Sequence, residues 1–176
     1  MRILHTESSS GWGGQEIRIL REAEGMRKKG HEVVIAVAKG GGLVAQAREK
    51  GFTVYEVSFK RQHLLATLFE LLKIVKKHGV EIINTHSSLD SWVGGIAARM
   101  SGRKVVRTRH LSTAIRKGLN SRLLYNALTD FVVTTSSAII PTITEQARLP
   151  QASIKCIATG VNPDHLKVDP QEVAQF

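Results

Sequence analysis

Seven short apolar runs of strand type alternate with six longer segments of helical period, and this alternation more than anything else limits what the chain can fold into. The strand-type runs cover residues 2–6, 32–38, 53–57, 80–85, 104–108, 131–135 and 154–157. Between them lie helical segments over 15–29, 43–50, 64–78, 88–101, 120–128 and 138–146, several stopped by a glycine such as Gly30, Gly51 or Gly79. Near-continuous apolar strands separated by helices predict a parallel sheet covered on both faces. Right-handed crossovers then favour an α/β, doubly wound, Rossmann-like sheet of about seven strands. Helix 88–101 contains Gly94-Gly95 and tolerates them only if it packs closely.

A length of 176 residues suits one domain. The single cysteine, Cys156, excludes an internal disulfide and a multi-cysteine zinc site, and points to a reducing compartment. The N-terminal apolar run is too short for a signal peptide, and no stretch reaches the roughly 18–20 apolar residues of a membrane span. A formal charge of +10 favours an anionic partner, either a phosphorylated small molecule or an anionic membrane. Nucleic acid is disfavoured: the nine aromatic residues are not interleaved with basic clusters, and no DNA-binding spacing occurs.

Ligands of such sheets bind beyond the carboxyl ends of the strands. After the first strand comes Glu7 to Gly14, closing in Gly11-Trp12-Gly13-Gly14 at a helix start, where free N–H groups suit a phosphate or a sugar hydroxyl. A tight turn without a ligand is the alternative. The spacing does not fit G-x-G-x-x-G, the second strand ends Val37-Ala38-Lys39 without an acidic residue, and no P-loop or G-x-S-x-G elbow occurs. Dehydrogenase, P-loop NTPase and α/β-hydrolase chemistry are therefore not indicated.

Later strands end in Thr85-His86-Ser87-Ser88, Arg109-His110 and Thr135-Ser136-Ser137. Ser88 and Ser137 are expected to cap helices. His86 and His110 share the sheet edge with the glycine loop, and structural and functional readings both stay open for them. Arg107 and Arg109 beside them suit an anionic group. His5, His31, His63, His78 and His165 lack such support. A metal at His86 and His110 would need Glu7 or Asp90 as a further ligand. Cys156 reads as a strand residue and not as a nucleophile.

Taken in order, these strand ends resemble the N-terminal domain of the family 4 glycosyltransferases, a retaining group with the GT-B fold. Gly11-Trp12-Gly13-Gly14-Gln15-Glu16 is similar to the family's G-G-x-E loop, and Asn84-Thr85-His86 to its histidine after the fourth strand. Val106 to His110 fits the histidine that follows the fifth strand, and Thr129 to Ser136 the family's sixth-strand segment. Ile157-Ala158-Thr159-Gly160-Val161-Asn162 resembles its interdomain turn.

The resemblance implies sugar transfer from a nucleotide-sugar to a cell-envelope glycan or lipid-linked glycan acceptor, with retention and without a metal or other cofactor. By the same resemblance Gly13 and Gly14 lie against the donor phosphates and His110 is catalytic. Trp12, Gln15, His86, Arg109 and Ser136 then line the acceptor side. The chain reads as one domain over 1–162, followed by an interdomain linker or truncated end over 163–176. The C-terminal donor-binding domain is expected to lie outside it, so this chain alone is expected to be inactive. A cytoplasmic location is expected, peripheral at the inner face of the membrane, with basic groups such as Arg116-Lys117 and the helix over 64–77 facing anionic lipid.

Two departures stand out. Leu111 follows His110 where an acidic residue is frequent, and Ala158-Thr159 replaces Pro-Asn. Two other functions remain: a non-catalytic domain that binds a nucleotide or glycan, and an epimerase-like enzyme, which would need an acid or base of its own here. The stretch 111–119 is expected to form an acceptor loop.

Overall fold

The computed structural model describes residues 1–110 and 115–160. Thirteen principal elements follow one another among these residues: β1 (Arg2–Glu7), α1 (Gly14–Lys28), β2 (Glu32–Ala38), α2 (Gly42–Glu49), β3 (Thr53–Val57), α3 (Leu64–Lys77), β4 (Ile82–Thr85), α4 (Ser88–Ser101), β5 (Lys104–Arg109), α5 (Leu119–Arg122), β6 (Phe131–Thr134), α6 (Ile140–Ala147) and β7 (Ile154–Cys156). The strands form one seven-stranded sheet in the order β3-β2-β1-β4-β5-β6-β7. Every pairing is parallel.

The chain winds outward from β1 in one direction, then returns to β1's other side to wind the opposite way. The topological switch therefore lies between β1 and β4, where a crevice opens beyond the strand ends. The expectation of a doubly wound parallel sheet holds.

Side-chain alternation along the strands builds two layers. Ile35 and Val37 meet Ile19, Leu20 and Ala23 of α1 and Leu43 of α2 on one face. Leu4, Ala36 and Ile83 meet Leu71, Ile74 and Val75 of α3 and Val93 and Ala97 of α4 on the other. A third cluster, with Tyr125, Leu128, Val132 and Ile143, fills the β6–β7 end. Full burial of each such aliphatic side chain contributes about 1.5–3 kcal/mol against the conformational entropy lost on folding.

Close packing explains the paired glycines of α4. A Cβ at position 94 would come 2.9 Å from Thr85 Cγ2, and one at 95 would come 2.8 Å from Leu128 Cβ. Strand β4 begins at Ile82 and not at Val80, because the Val80 N–H donates to the Val75 carbonyl and completes the end of α3. The helix expected over 120–128 is α-helical only to Arg122. It widens over Leu123–Ala127, where the Leu128 N–H reaches back five residues to the Leu123 carbonyl.

Helix capping falls one residue earlier than expected. Ser87, not Ser88, is the N-cap of α4, in a reciprocal box with Asp90. Ser136, not Ser137, caps the short 3₁₀ turn before α6, accepting from the Ala138 N–H at 3.3 Å.

Candidate functional site: the crevice beyond β1, β4 and β5

Three strands deliver three histidines to one line. His5 lies within β1, His86 one residue past β4, and His110 one residue past β5. His5 Nδ1 is 2.9 Å from His86 Nε2, with ring planes 9° apart. His86 Nδ1 is in turn 2.9 Å from His110 Nε2. At the buried end His5 Nε2 lies 3.4 Å from the Met26 sulfur of α1.

A thioether can only accept a hydrogen bond, so this contact assigns the proton of His5 to Nε2. His5 Nδ1 then accepts from His86 Nε2–H, and His86 Nδ1 accepts from His110 Nε2–H. His110 is left with a lone pair on Nδ1. Burial, and secondarily the positive field of Arg18, hold the His110 ring down at a pKa of about 4. His5 is lowered to about 4 by burial and by His110, and His86 lies well below its ordinary range through burial and its two histidine neighbours. All three rings are neutral at physiological pH. The row can offer His110 Nδ1 as an acceptor to a hydroxyl.

A carboxylate pair fixes the loops around this row. Asp90 Oδ2 accepts from the His86 N–H at 2.8 Å and the Thr6 hydroxyl at 3.1 Å. Its Oδ1 accepts from the Ser87 N–H at 3.0 Å and the Ser8 hydroxyl at 3.1 Å. Glu7 accepts from the Ser9 N–H, the Ser87 hydroxyl and the Gln15 side-chain amide. Burial pushes both acids up, Asp90 to about 7 with the Glu7 charge as a second cause. The glycine loop, the β4 end and the start of α4 are thus tied together through acids whose oxygens are occupied.

Gly13 is the extended N-cap of α1, and its N–H donates to Glu16 Oε2 at 2.9 Å. A Cβ at position 13 would touch only that same oxygen, at 3.6 Å, and one at 14 would meet nothing within 4 Å. Neither residue has a positive φ. Packing among the described residues therefore does not explain these two glycines, and they leave the backbone at the start of α1 open to close approach.

A small cleft of about 140 Å³ is lined by Gln15, His86, Ser87, Ser88, Arg107, Arg109 and His110. Ser88 also borders a larger, mainly apolar groove of about 630 Å³ between α3 and α4, lined among others by Arg61, Leu65, Leu68, Trp92 and Ile96. Among the described residues, no three His, Cys, Asp or Glu side chains converge so as to hold a metal ion.

The sequence model of glycosyltransferase family 4 matches residues 12–165, which takes in Gly13, Gly14, His86 and His110. The chain belongs to this family. No curated protein sequence matches it significantly. Among solved structures it is similar to a glycosyltransferase from Rickettsia africae (TM-score 0.83, 22% identity, 99% of this chain and 48% of that one). It is also similar to HepE from Anabaena in complex with UDP (TM-score 0.79, 17% identity, 99% and 48%). A third is the lipopolysaccharide outer core galactosyltransferase WaaB (TM-score 0.71, 15% identity, 92% and 46%). These likenesses show a Rossmann-like domain of the GT-B fold. The chain spans about half the length of each of these structures.

Within this family 4 domain the residues expected at the site divide into two groups. Gln15, His86, Arg109 and His110 line the small cleft, and Gly13 and Gly14 immediately precede Gln15 at the start of α1. Trp12 and Ser136 do not line the small cleft. Trp12 is half-exposed on the loop, where a Cβ at Gly42 would come 2.7 Å from its own Cβ, and Ser136 acts as a cap. The segment expected to be an interdomain turn is described only as far as Gly160. Residues 111–114 of the expected acceptor loop and the expected linker over 163–176 lie outside the described residues.

Two participants escaped the sequence reading. His5 looks like a core residue until β1 is laid beside β4, with His5 paired to Asn84 two residues before His86. Arg18 of α1 is buried and reaches the segment after β7. It donates to the Ile157 carbonyl and the Thr159 hydroxyl at 2.8 Å each, and also pairs with Glu22.

Proposed function

We propose that this domain is the acceptor-side half of a retaining glycosyltransferase, which moves a hexose from a nucleotide-sugar to a cell-envelope glycan or lipid-linked glycan without a metal. The observation that carries this reading is that two sterically unexplained glycines open the helix whose Gln15 shares a cleft with a neutral His110, the Nδ1 of which has no partner among the described residues. In this reading the backbone at Gly13 and Gly14 faces the donor diphosphate and helps stabilise the charge on the departing group. His110 accepts a hydrogen bond from a hydroxyl of the transferred sugar. Gln15, His86 and Arg109 face the acceptor, with Trp12 and Ser136 at its margins.

The complexes of HepE with UDP and with UDP-glucose support a nucleotide-sugar donor by analogy. The apolar groove that meets the cleft at Ser88 supports an acceptor with an apolar portion, presented at an anionic membrane surface. Among the described residues no helix is long and apolar enough to cross a membrane. Peripheral attachment on the cytoplasmic side is the matching proposal, and salt-sensitive binding to anionic vesicles tests it.

The catalytic reading is tested in the protein that joins this domain to a donor-binding one, by following transfer from a panel of nucleotide-sugars. His110→Ala is expected to lower transfer at least 100-fold while acceptor binding and the circular dichroism spectrum stay unchanged. An α-anomeric product from an α-linked donor is expected. Nucleotide-sugar binding without turnover in the wild-type protein would instead establish a non-catalytic binding domain.

A further inference from the structure

The least satisfied polar side chain near the crevice is that of Arg107, and it is a cation. Arg107 is only 6% exposed. Its Nε and Nη1 are buried without a hydrogen-bond partner among the described residues. Among the described residues no carboxylate lies within ion-pair distance of it, whereas Arg18, Arg48 and Arg99 are paired with Glu22, Glu56 and Asp130 respectively. The acids of its surroundings are already committed. Both Asp90 oxygens are filled by Thr6, Ser8, His86 and Ser87, and Glu7 is filled by Ser9, Gln15 and Ser87.

The field of Asp90 reaches Arg107 without an ion pair or a hydrogen bond. A buried cation whose donors are left unfilled costs stability and is completed by a group from outside the chain. The arginine is also held in place. Its guanidinium sits 4.8 Å from the centroid of the Tyr125 ring, and Arg109 Nη1 donates to the Tyr125 hydroxyl at 3.2 Å. Tyr125 itself is buried. One aromatic side chain thus positions both guanidinium groups along the small cleft, beside His110.

We infer that Arg107 is the anchor of an oxyanion subsite in the acceptor cleft, so that the acceptor carries a phosphate or carboxylate group. This rests on the glycosyltransferase reading for the word acceptor, but the subsite itself is a property of the cleft. A guanidinium offers paired N–H donors that match two oxygens of one oxyanion, and inside a cleft such bonds are stronger than in water. Arg109 adds a second positive charge on the same wall.

Binding of inorganic phosphate, of a sugar phosphate and of UDP to the 176-residue chain tests the inference, followed by NMR of the His86 and His110 imidazoles. Phosphate and sugar phosphate are expected to shift both rings saturably in the millimolar range, about 1–10 mM, a weak affinity suited to a small anion. Arg107→Met is expected to weaken that binding at least tenfold. Arg107→Lys keeps the charge without the fork and is expected to weaken it severalfold, and it decides the matter alone if the Met variant does not fold. Arg99→Met, in the last turn of α4 and paired with Asp130, serves as the control and is expected to leave binding unchanged. Absence of phosphate binding, or equal binding by wild type and both Arg107 variants, overturns the subsite. If UDP displaces the sugar phosphate and loses affinity in parallel in Arg107→Lys, the oxyanion is the donor's and the assignment to the acceptor is overturned. Phosphate binding intact, with no nucleotide-sugar transfer by the protein that joins this domain to a donor-binding one, would defeat the transferase reading while leaving the subsite standing.

Discussion

His86 Nδ1 and His110 Nε2 stand 2.9 Å apart, so the proton between them settles which nitrogen of His110 faces the crevice bare. That choice is made at the far end of the row, at the sulfur of Met26. At neutral pH, long-range 1H–15N correlation of the imidazoles is expected to show His5, His86 and His110 all protonated at Nε2. Met26→Leu removes the acceptor and frees the row to run the other way. A mixed Nδ1–H and Nε2–H population at His110 is the expected result, and an unchanged single tautomer would show that Met26 does not set it.

Acid should loosen the fold through the same row. His5 and His110 fall from an ordinary 6.5 to about 4, and His86 lies well below its ordinary value too. The unfolded chain takes up these protons near 6.5 and the folded one does not. Their contribution to stability is therefore complete above 6.5 and lost as pH falls towards 4. Asp90, raised to about 7, acts with the opposite sign: it favours the folded state at low pH and loses that contribution as pH rises through 7. The urea midpoint is expected to climb between pH 4 and 6.5 with a net slope of about one to two protons. His5→Asn is expected to flatten that slope, and a wild-type midpoint independent of pH would refute the coupling.

Glycine replacements separate ligand space from packing space. Gly14→Ala meets no neighbour and lies in a helix, so stability is expected to rise by up to about 1 kcal/mol. Nucleotide-sugar binding is expected to fall severalfold in the same variant. Gly95→Ala drives a methyl into Leu128, including its backbone carbonyl at 2.9 Å, and is expected to cost about 1–3 kcal/mol. Thermal unfolding and a binding titration on both variants check the contrast.

Asp90→Ala removes the return half of the α4 capping box and leaves the His86 and Ser87 N–H groups without an acceptor. A loss of about 2–4 kcal/mol is expected in chemical denaturation. The His86 ring should also shift in the NMR spectrum, because its backbone loses the hydrogen bond that anchors it to α4.

The sequence disclosed the sheet and its edge because both follow from periodicity. Alternating apolar strands and amphipathic helices leave few topologies, and the residues after Glu7, Thr85 and Arg109 had to meet at one rim. It did not disclose His5, since a histidine inside an apolar strand reads the same whether it packs or relays a hydrogen bond. Only the register of His5 with Asn84 makes the difference. The cap positions were missed by one residue because Ser87-Ser88 and Ser136-Ser137 each offer two equivalent hydroxyls. Asp90, three residues after Ser87, selects the first of the former pair. Arg107 gave no sign of being unpaired, because the occupancy of Glu7 and Asp90 by other donors is a three-dimensional fact.

Arg18 joins α1 to the stretch after β7, 139 and 141 residues further along, although β1 and β7 are four strand steps apart in the sheet. During synthesis the first helix emerges long before those partners exist, and for that interval Glu22, one turn away, is the neighbour to which the guanidinium can turn. The helix that carries the glycine loop thus receives this constraint only when the stretch after β7 has been added. A ribosome-bound chain halted just short of Ile157 would hold every strand from β1 to β7 and still lack the clasp that ties its oldest helix to the stretch beyond β7.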